Sequence, residues 1–255
     1  MIPKIIHFIY GLQKDFGGKP FSLVHYLAIK STFEVNKPEK IQFFYVYEPT
    51  GRWWNEAKKY LELIHIDPLT EIFGRKLSHF AHQADVLRLL ILIEYGGIYL
   101  DLDTLCVKPF DDLLHHPFVI GQQGTGFRLD GLCNAVLLAE KDSFFAKAWL
   151  NSYQNFRSCG QDAFWDEHSV RIPLELSPFF AAAGQLHIEP YTSFHYPHYQ
   201  FDLDKLFETK GEFPKAYCHH LWETETWDKY LKDLSVEGIL ANESCYAVLA
   251  QKFLN

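Results

Sequence analysis

Two kinds of hydrophobic pattern alternate along this chain. Short runs rich in β-branched and aromatic residues predict strands, and stretches with apolar positions every three or four residues predict helices. Residues 5–10 predict a first strand, followed by a loop bearing Gly11, Gly17, Gly18 and Pro20. Residues 23–36 have the helical period and stop before Pro38, and 41–47 predict a second strand ended by Pro49. Helical spacing returns over 53–64, where Trp53-Trp54 makes a packing face, with a short strand at 64–66. Ser78 is placed to cap a helix reaching Tyr95, Gly96-Gly97 stop it, and 98–103 predict a strand. Further strands are predicted at 118–121 and 132–139, and a helix at 143–156. Residues 158–197 read as a loop-rich, aromatic section, and 236–254 as one docking helix. Strands alternating with helices predict an α/β sandwich on a largely parallel sheet, with ligands outside the carboxyl ends of its strands.

Composition narrows the partners. The 255 residues carry a formal charge of −8, which argues against a phosphate-backbone binder and so against nucleic acid. Aromatic residues reach 16%, enough to fill a core and also to supply flat surfaces on which sugars and bases stack. The five cysteines show no CxxC pair and read as reduced, buried thiols. The longest apolar stretch, 86–100, is broken by Arg88 and Glu94, so no transmembrane segment is expected. A peripheral membrane contact through the terminal helix stays open.

The candidate chemistry centres on Asp101-Leu102-Asp103. Within a strand, residues i and i+2 share a face, so both carboxylates project together while Leu102 points to the core. Paired carboxylates at a strand's carboxyl end can hold a hard divalent cation and leave positions open for phosphate oxygens. Asp85 and Arg88 lie three apart on the preceding helix and share a face, and Arg88 supplies a fork suited to oxygens. Tyr99 shares the face of Asp101 and brings a hydroxyl to the same place.

The run Ala84-Asp85-Val86-Leu87-Arg88 and then Tyr95-Gly96-Gly97-Ile98-Tyr99-Leu100-Asp101-Leu102-Asp103 resembles the DXD sugar-binding region of glycosyltransferase family 32. It is also similar to the catalytic domain of large clostridial glucosylating toxins. The opening Ile2-Pro3-Lys4-Ile5-Ile6-His7-Phe8-Ile9-Tyr10 resembles the family's first strand, with Tyr10 where a base-stacking Trp usually stands. Asn134 before an apolar run and His220-Leu221-Trp222 resemble later family segments. Cys159-Gly160-Gln161-Asp162 departs from the Gly-Pro that many members carry; Gln161 and Asp162 are the acceptor-side candidates.

The resemblance implies a single GT-A domain, a Rossmann-like mixed sheet flanked by helices. Its nucleotide-binding half would span 1–110, its acceptor-side half 111–235 and its docking helix 236–255. It implies transfer of a sugar, with retention, from a nucleoside-diphosphate sugar (UDP-sugar favoured over GDP-sugar) to a glycan or lipid-linked acceptor. Asp103, Asp101 and His220 would hold Mn2+ or Mg2+, and Asp103, Asp101 and Arg88 would carry catalysis. Tyr10, Asp85, Arg88, Tyr99, Asp101, Asn134 and Trp222 would bind the donor. Members in the Golgi carry an amino-terminal anchor, so a cytoplasmic enzyme at the inner face of the membrane is expected. The alternatives are a non-catalytic sugar-nucleotide-binding relative and a haloacid-dehalogenase-type phosphatase. The phosphatase motif normally follows the first strand and has Thr two places beyond its second Asp, whereas Thr104 follows Asp103 at once.

Overall fold

The computed structural model describes residues 1–254. Its strands are β1 (Ile5–Ile9), β2 (Lys40–Tyr45), β3 (Glu62–His65), β4 (Glu71–Ile72), β5 (Arg75–Lys76), β6 (Gly97–Leu100), β7 (Thr104–Cys106), β8 (Phe118–Gly124), β9 (Leu129–Ala139), β10 (His187–Glu189) and β11 (Cys218–His220). Seven of them form one sheet in the order β10-β8-β9-β6-β1-β2-β3. Pairs β6-β1, β1-β2, β2-β3 and β10-β8 are parallel, and β9 runs against both of its neighbours, so the sheet is mixed. Side-chain alternation builds a core on each face. Ile98 and Leu100 of β6 pack into the cluster beneath α1 (Leu23–Asn36), while Tyr99 joins the cluster beneath α3 (Phe80–Tyr95) and α4 (Phe144–Ser152). Burial on both faces explains why β6 reads as a continuous apolar run.

The centre of the sheet depends on two glycines. Gly96 (φ 65°) ends α3, and Gly97 (φ 105°) starts β6 in a conformation L side chains rarely adopt. A Cβ on Gly97 would lie 2.5 Å from Ile5 O and 2.7 Å from His7 Nε2, so only glycine lets β6 close against β1. His7 is fully buried, lies 2.7 Å from Gly96 O through Nε2, and is pushed down to about 4 by burial. The neutral ring therefore donates to that carbonyl.

Several boundaries differ from the sequence reading. α1 matches the predicted 23–36, with Ser22 N–H donating to His25 Nδ1. The helix predicted at 53–64 is α2 (Arg52–Ala57) plus one 3-10 turn, because the chain then joins the sheet as β3. His79, not Ser78, caps α3: its ring accepts from Ala81 N–H. The section 158–197 is not mainly loop; it holds a π turn (Glu167–Arg171), α5 (Ile172–Ala182) and β10. The single docking helix is two, Val236–Leu240 and Cys245–Gln251, split where Ser244 caps the second by accepting from Ala247 N–H. Cys159 is exposed, against the expectation of buried thiols; the other four cysteines are buried. Among the described residues no helix is long and apolar enough to cross a membrane.

Candidate functional site

The acidic pair does not sit on a strand. β6 ends at Leu100, and the chain turns tightly: Asp101 N–H donates to Ala135 O (2.8 Å), and both the N–H and the hydroxyl of Thr104 donate to Asp101 O (3.2 and 2.8 Å). Leu102 is 6% exposed and enters the core, as alternation predicts, while the turn swings both carboxylates to one side. The chain resumes as β7, which pairs antiparallel with β11 so that His220 faces Thr104. That pairing carries His220 to the acidic pair from more than a hundred residues away.

Asp103 is held on three sides. His220 Nε2 lies 3.3 Å from its Oδ1, Glu223 N–H donates to Oδ2 at 2.7 Å, and its own carbonyl accepts from Leu221 N–H at 2.8 Å. Burial works to raise the Asp103 carboxyl, but His220 and these hydrogen bonds override it and hold it down at about 2. Burial disfavours charge on His220 as well; Asp103 reverses that and raises it. Ligand atoms of Asp101, Asp103 and His220 all lie within 4.8 Å of one another. Two carboxylate oxygens and an imidazole nitrogen suit Mn2+ or Mg2+, and His220 turns Nε2 toward Asp103, so the residues present fit a cation. His219, its neighbour, alternates away and bonds Tyr196 O through Nδ1.

Asp101 is the more open carboxylate, with 26% of its side chain accessible. Tyr99 OH donates to its Oδ1 at 2.6 Å, and Arg88 Nη1 lies 3.1 Å from the same oxygen. Tyr99 is itself 1% exposed, so its hydroxyl is committed to Asp101 rather than offered to a ligand. Burial pushes the Asp101 carboxyl up, Arg88 opposes this, and the adjacent Asp103 charge adds to the rise. Arg88 also donates to Asn134 O (2.8 Å) and Ala84 O (3.2 Å), and its guanidinium lies over the Tyr99 ring at 4.5 Å. Asn134 in turn donates to Asp85 Oδ1 at 2.7 Å, and Arg88 Nη2 lies 3.4 Å from that oxygen. Asp85 and Arg88 thus share one face, as three-residue spacing predicts, but both are buried and bonded within the protein. The register of β8 on β9 jumps from Ile120–Leu137 to Gly121–Cys133, and this irregularity falls where Asn134 and Ala135 meet the site.

The remaining candidates surround this centre. Trp222 adopts a left-handed backbone (φ 56°), lies tilted at 44° against the His220 ring with centroids 4.2 Å apart, and donates from Nε1 to Pro197 O. Tyr10 is partly buried: Phe16 stacks on one face at 5.5 Å, Phe21 meets it edge-on, and its hydroxyl donates to Lys19 O. Burial raises its phenol far above the ordinary value, with the Glu223 charge adding to this. Glu223 joins this cluster to the acidic pair, because its carboxylate meets His25 Nε2 (2.8 Å) and Lys19 Nζ (3.4 Å). Gln161 and Asp162 lie on an exposed loop; Asp162 accepts from Cys159 N–H, Phe164 N–H and the Ser158 hydroxyl. His82 completes a chain of contacts, with Nδ1 3.4 Å from Asp85 Oδ2 and Nε2 3.0 Å from Ser158 Oγ. Sequence reasoning missed Glu223, His82 and Ser158. The only signal was their closeness to quoted motifs, since their contacts arise from tertiary pairing.

A family model described as a glycosyltransferase sugar-binding region containing a DXD motif matches residues 14–119. Over its whole length the chain is 35% identical to glucan organizing enzyme 1 of Cryptococcus neoformans var. grubii, spanning 71% of that protein. A 35-residue stretch is 60% identical to inositol phosphoceramide mannosyltransferase 3 of Schizosaccharomyces pombe, covering 14% of this chain and 10% of that one. Among solved structures, mouse xyloside xylosyltransferase 1 superposes with a TM-score of 0.51 at 13% identity, covering 86% of this chain and 98% of that one. GlyE of Streptococcus pneumoniae gives 0.51 at 14% identity, covering 98% and 62%. These structural likenesses are of fold.

Proposed function

This chain belongs to the family of glycosyltransferases whose sugar-binding region contains a DXD motif, and from that premise we propose that it moves a sugar, with retention, from a nucleoside-diphosphate sugar to a glycan or lipid-linked hydroxyl in a metal-dependent reaction. The observation that carries the reading is the convergence of Asp101, Asp103 and His220 beyond the carboxyl end of β6, on a turn tied down at both ends. These three residues would hold Mn2+ or Mg2+, which when bound supplies the positive charge that neutralises a leaving diphosphate.

Arg88 fixes the Asp101 carboxylate through a fork shared with Asn134 O, so that Asp101 meets the donor in one orientation. Asp85 and Asn134 keep that fork in place from behind. Trp222 and the Tyr10 cluster flank the acidic pair, and Trp222 and Tyr10 offer aromatic surface for donor sugar and base. Asp85 is 7% exposed and fully engaged, and Asp101 and Asp103 serve the cation, which favours front-face attack by the acceptor hydroxyl over a carboxylate nucleophile. UDP-sugars come before GDP-sugars as candidate donors.

The test is release of nucleoside diphosphate from a panel of UDP- and GDP-sugars with Mn2+ or Mg2+, comparing the natural chain with Asp103→Asn. Metal-dependent release that the variant loses supports the proposal. No release from any donor, with or without glycan acceptors, overturns it in favour of a sugar-nucleotide-binding relative.

A further inference from the structure

Next to the acidic turn lies a second convergent set of ligand atoms, which shares His220 with the first and adds two residues that the proposed transfer does not use. Cys133 on β9, His195 just past the helix Tyr191–Phe194, and His220 on β11 place Sγ and imidazole nitrogens within 4.8 Å of one another. Their exposures are 5%, 0% and 8%. Among the described residues, neither ring nitrogen of His195 has a hydrogen-bond partner, nor has Nδ1 of His220. Buried polar nitrogens that have lost water without gaining a partner are rare, and three in one place call for a reason. The His195 ring is also held in position. Its backbone N–H donates to Tyr191 O, its ring meets His220 edge-on at 5.8 Å, and Gly121 makes room for it, since a Cβ there would lie 3.0 Å from Nε2.

The two overlapping sets differ in chemistry. Asp101, Asp103 and His220 offer mainly hard oxygen, whereas Cys133, His195 and His220 offer one sulfur and two imidazoles, a donor set that selects zinc over manganese or magnesium. The geometry points to a zinc-binding site formed by Cys133, His195 and His220, which takes His220 from the DXD site and silences transfer when filled. Zinc–sulfur and zinc–nitrogen bonds of about 2.3 and 2.0 Å put ligand atoms roughly 3.5 Å apart, so side-chain shifts no larger than about an ångström close the site. On binding, the Cys133 S–H bond breaks, its proton leaves to solvent, and the sulfur electron pair forms the zinc–sulfur bond. The inhibitory part rests on the proposed role of His220 in transfer; the site itself does not.

Cobalt(II) tests the site without reference to activity. Titrated into the chelator-stripped full chain, it is expected to give a thiolate-to-cobalt charge-transfer band and tetrahedral visible bands, both erased by added zinc. Asp103→Asn keeps this spectrum, and Cys133→Ser and His195→Gln lose it, with zinc affinity by indicator competition falling ~10-fold or more. Should Cys133→Ser fail to fold by circular dichroism, His195→Gln carries the same comparison. A spectrum without the charge-transfer band, or one that persists in Cys133→Ser, overturns the site. Transfer assays then test the coupling: zinc inhibits the natural chain, while Cys133→Ser keeps full zinc-free activity and resists zinc. Equal zinc sensitivity in both overturns the coupling but leaves the cobalt result standing.

Discussion

At 8% exposure, the Asp103 carboxylate stays ionised because His220 and the Glu223 amide replace the water it lost. Asparagine is nearly isosteric and keeps an oxygen for the amide, so Asp103→Asn should fold. It no longer offers an anionic ligand, and turnover should fall ~100-fold or more, a loss comparable to removing one preorganised electrostatic contact. Calorimetry of manganese-dependent donor binding is the direct check, and undiminished metal-dependent binding by the variant would remove Asp103 from the site. Arg88 makes a sharper case. Its guanidinium reaches Asp101, Asn134 O and Ala84 O at once, which a lysine ammonium cannot do. Arg88→Lys should therefore lose about 1–3 kcal/mol of stability, because buried acceptors go unpaired. It should also lose kcat through a misplaced Asp101. A lowered Tm with unchanged kcat/KM would make Arg88 structural only.

Whole elements bring these residues into place, and here legibility in the sequence was uneven. α1 was readable to the residue because the apolar period and the stop before Pro38 point the same way. The acidic pair was readable as facing one way, but for a different reason: alternation in a strand predicts it, and a hydrogen-bonded turn after Leu100 delivers it. His220 was found through its motif, yet only the β7-β11 pairing explains its position, and nothing local encodes a contact across such a span. α5 was missed because Pro173, Pro178 and flanking aromatics obscure its period. His7 shows an element-level constraint that pattern reading does not reveal, a polar ring sealed between β1 and β6. With its pKa at about 4 against 6.5 unfolded, the unfolded chain binds the extra proton between those values. Stability therefore falls as pH drops from about 6.5 toward 4, by up to about 3 kcal/mol from this group. Denaturant titrations at pH 7.5 and 5 should show a smaller fall in His7→Gln, whose amide can still donate to Gly96 O. An identical fall in both chains would assign the acid sensitivity to other groups.

Across the whole molecule, the two halves of the site are joined by one buried line of contacts. It runs from Asp101 through Arg88, Asp85 and His82 to Ser158, and ends at Asp162 on the exposed loop beyond α4. The residues proposed for the donor side and the acceptor side are thus joined by direct contacts, although they are distant in sequence. The exposed end of the line is where a change should be separable from the metal site. Asp162 holds its loop by accepting from Cys159 N–H, Phe164 N–H and the Ser158 hydroxyl, and asparagine retains only one accepting oxygen for the three. Losing such bonds loosens the loop's ordered state and should raise acceptor KM several-fold. Donor affinity and metal dependence should not move, because Asp101 and Asp103 keep every contact described above. Ser158→Ala, which cuts the line one step further in, should raise acceptor KM in the same direction. Initial-rate measurements varying donor and acceptor separately decide the matter. If Asp162→Asn weakens donor binding as much as acceptor binding, the loop is part of the donor pocket and the division of the site fails.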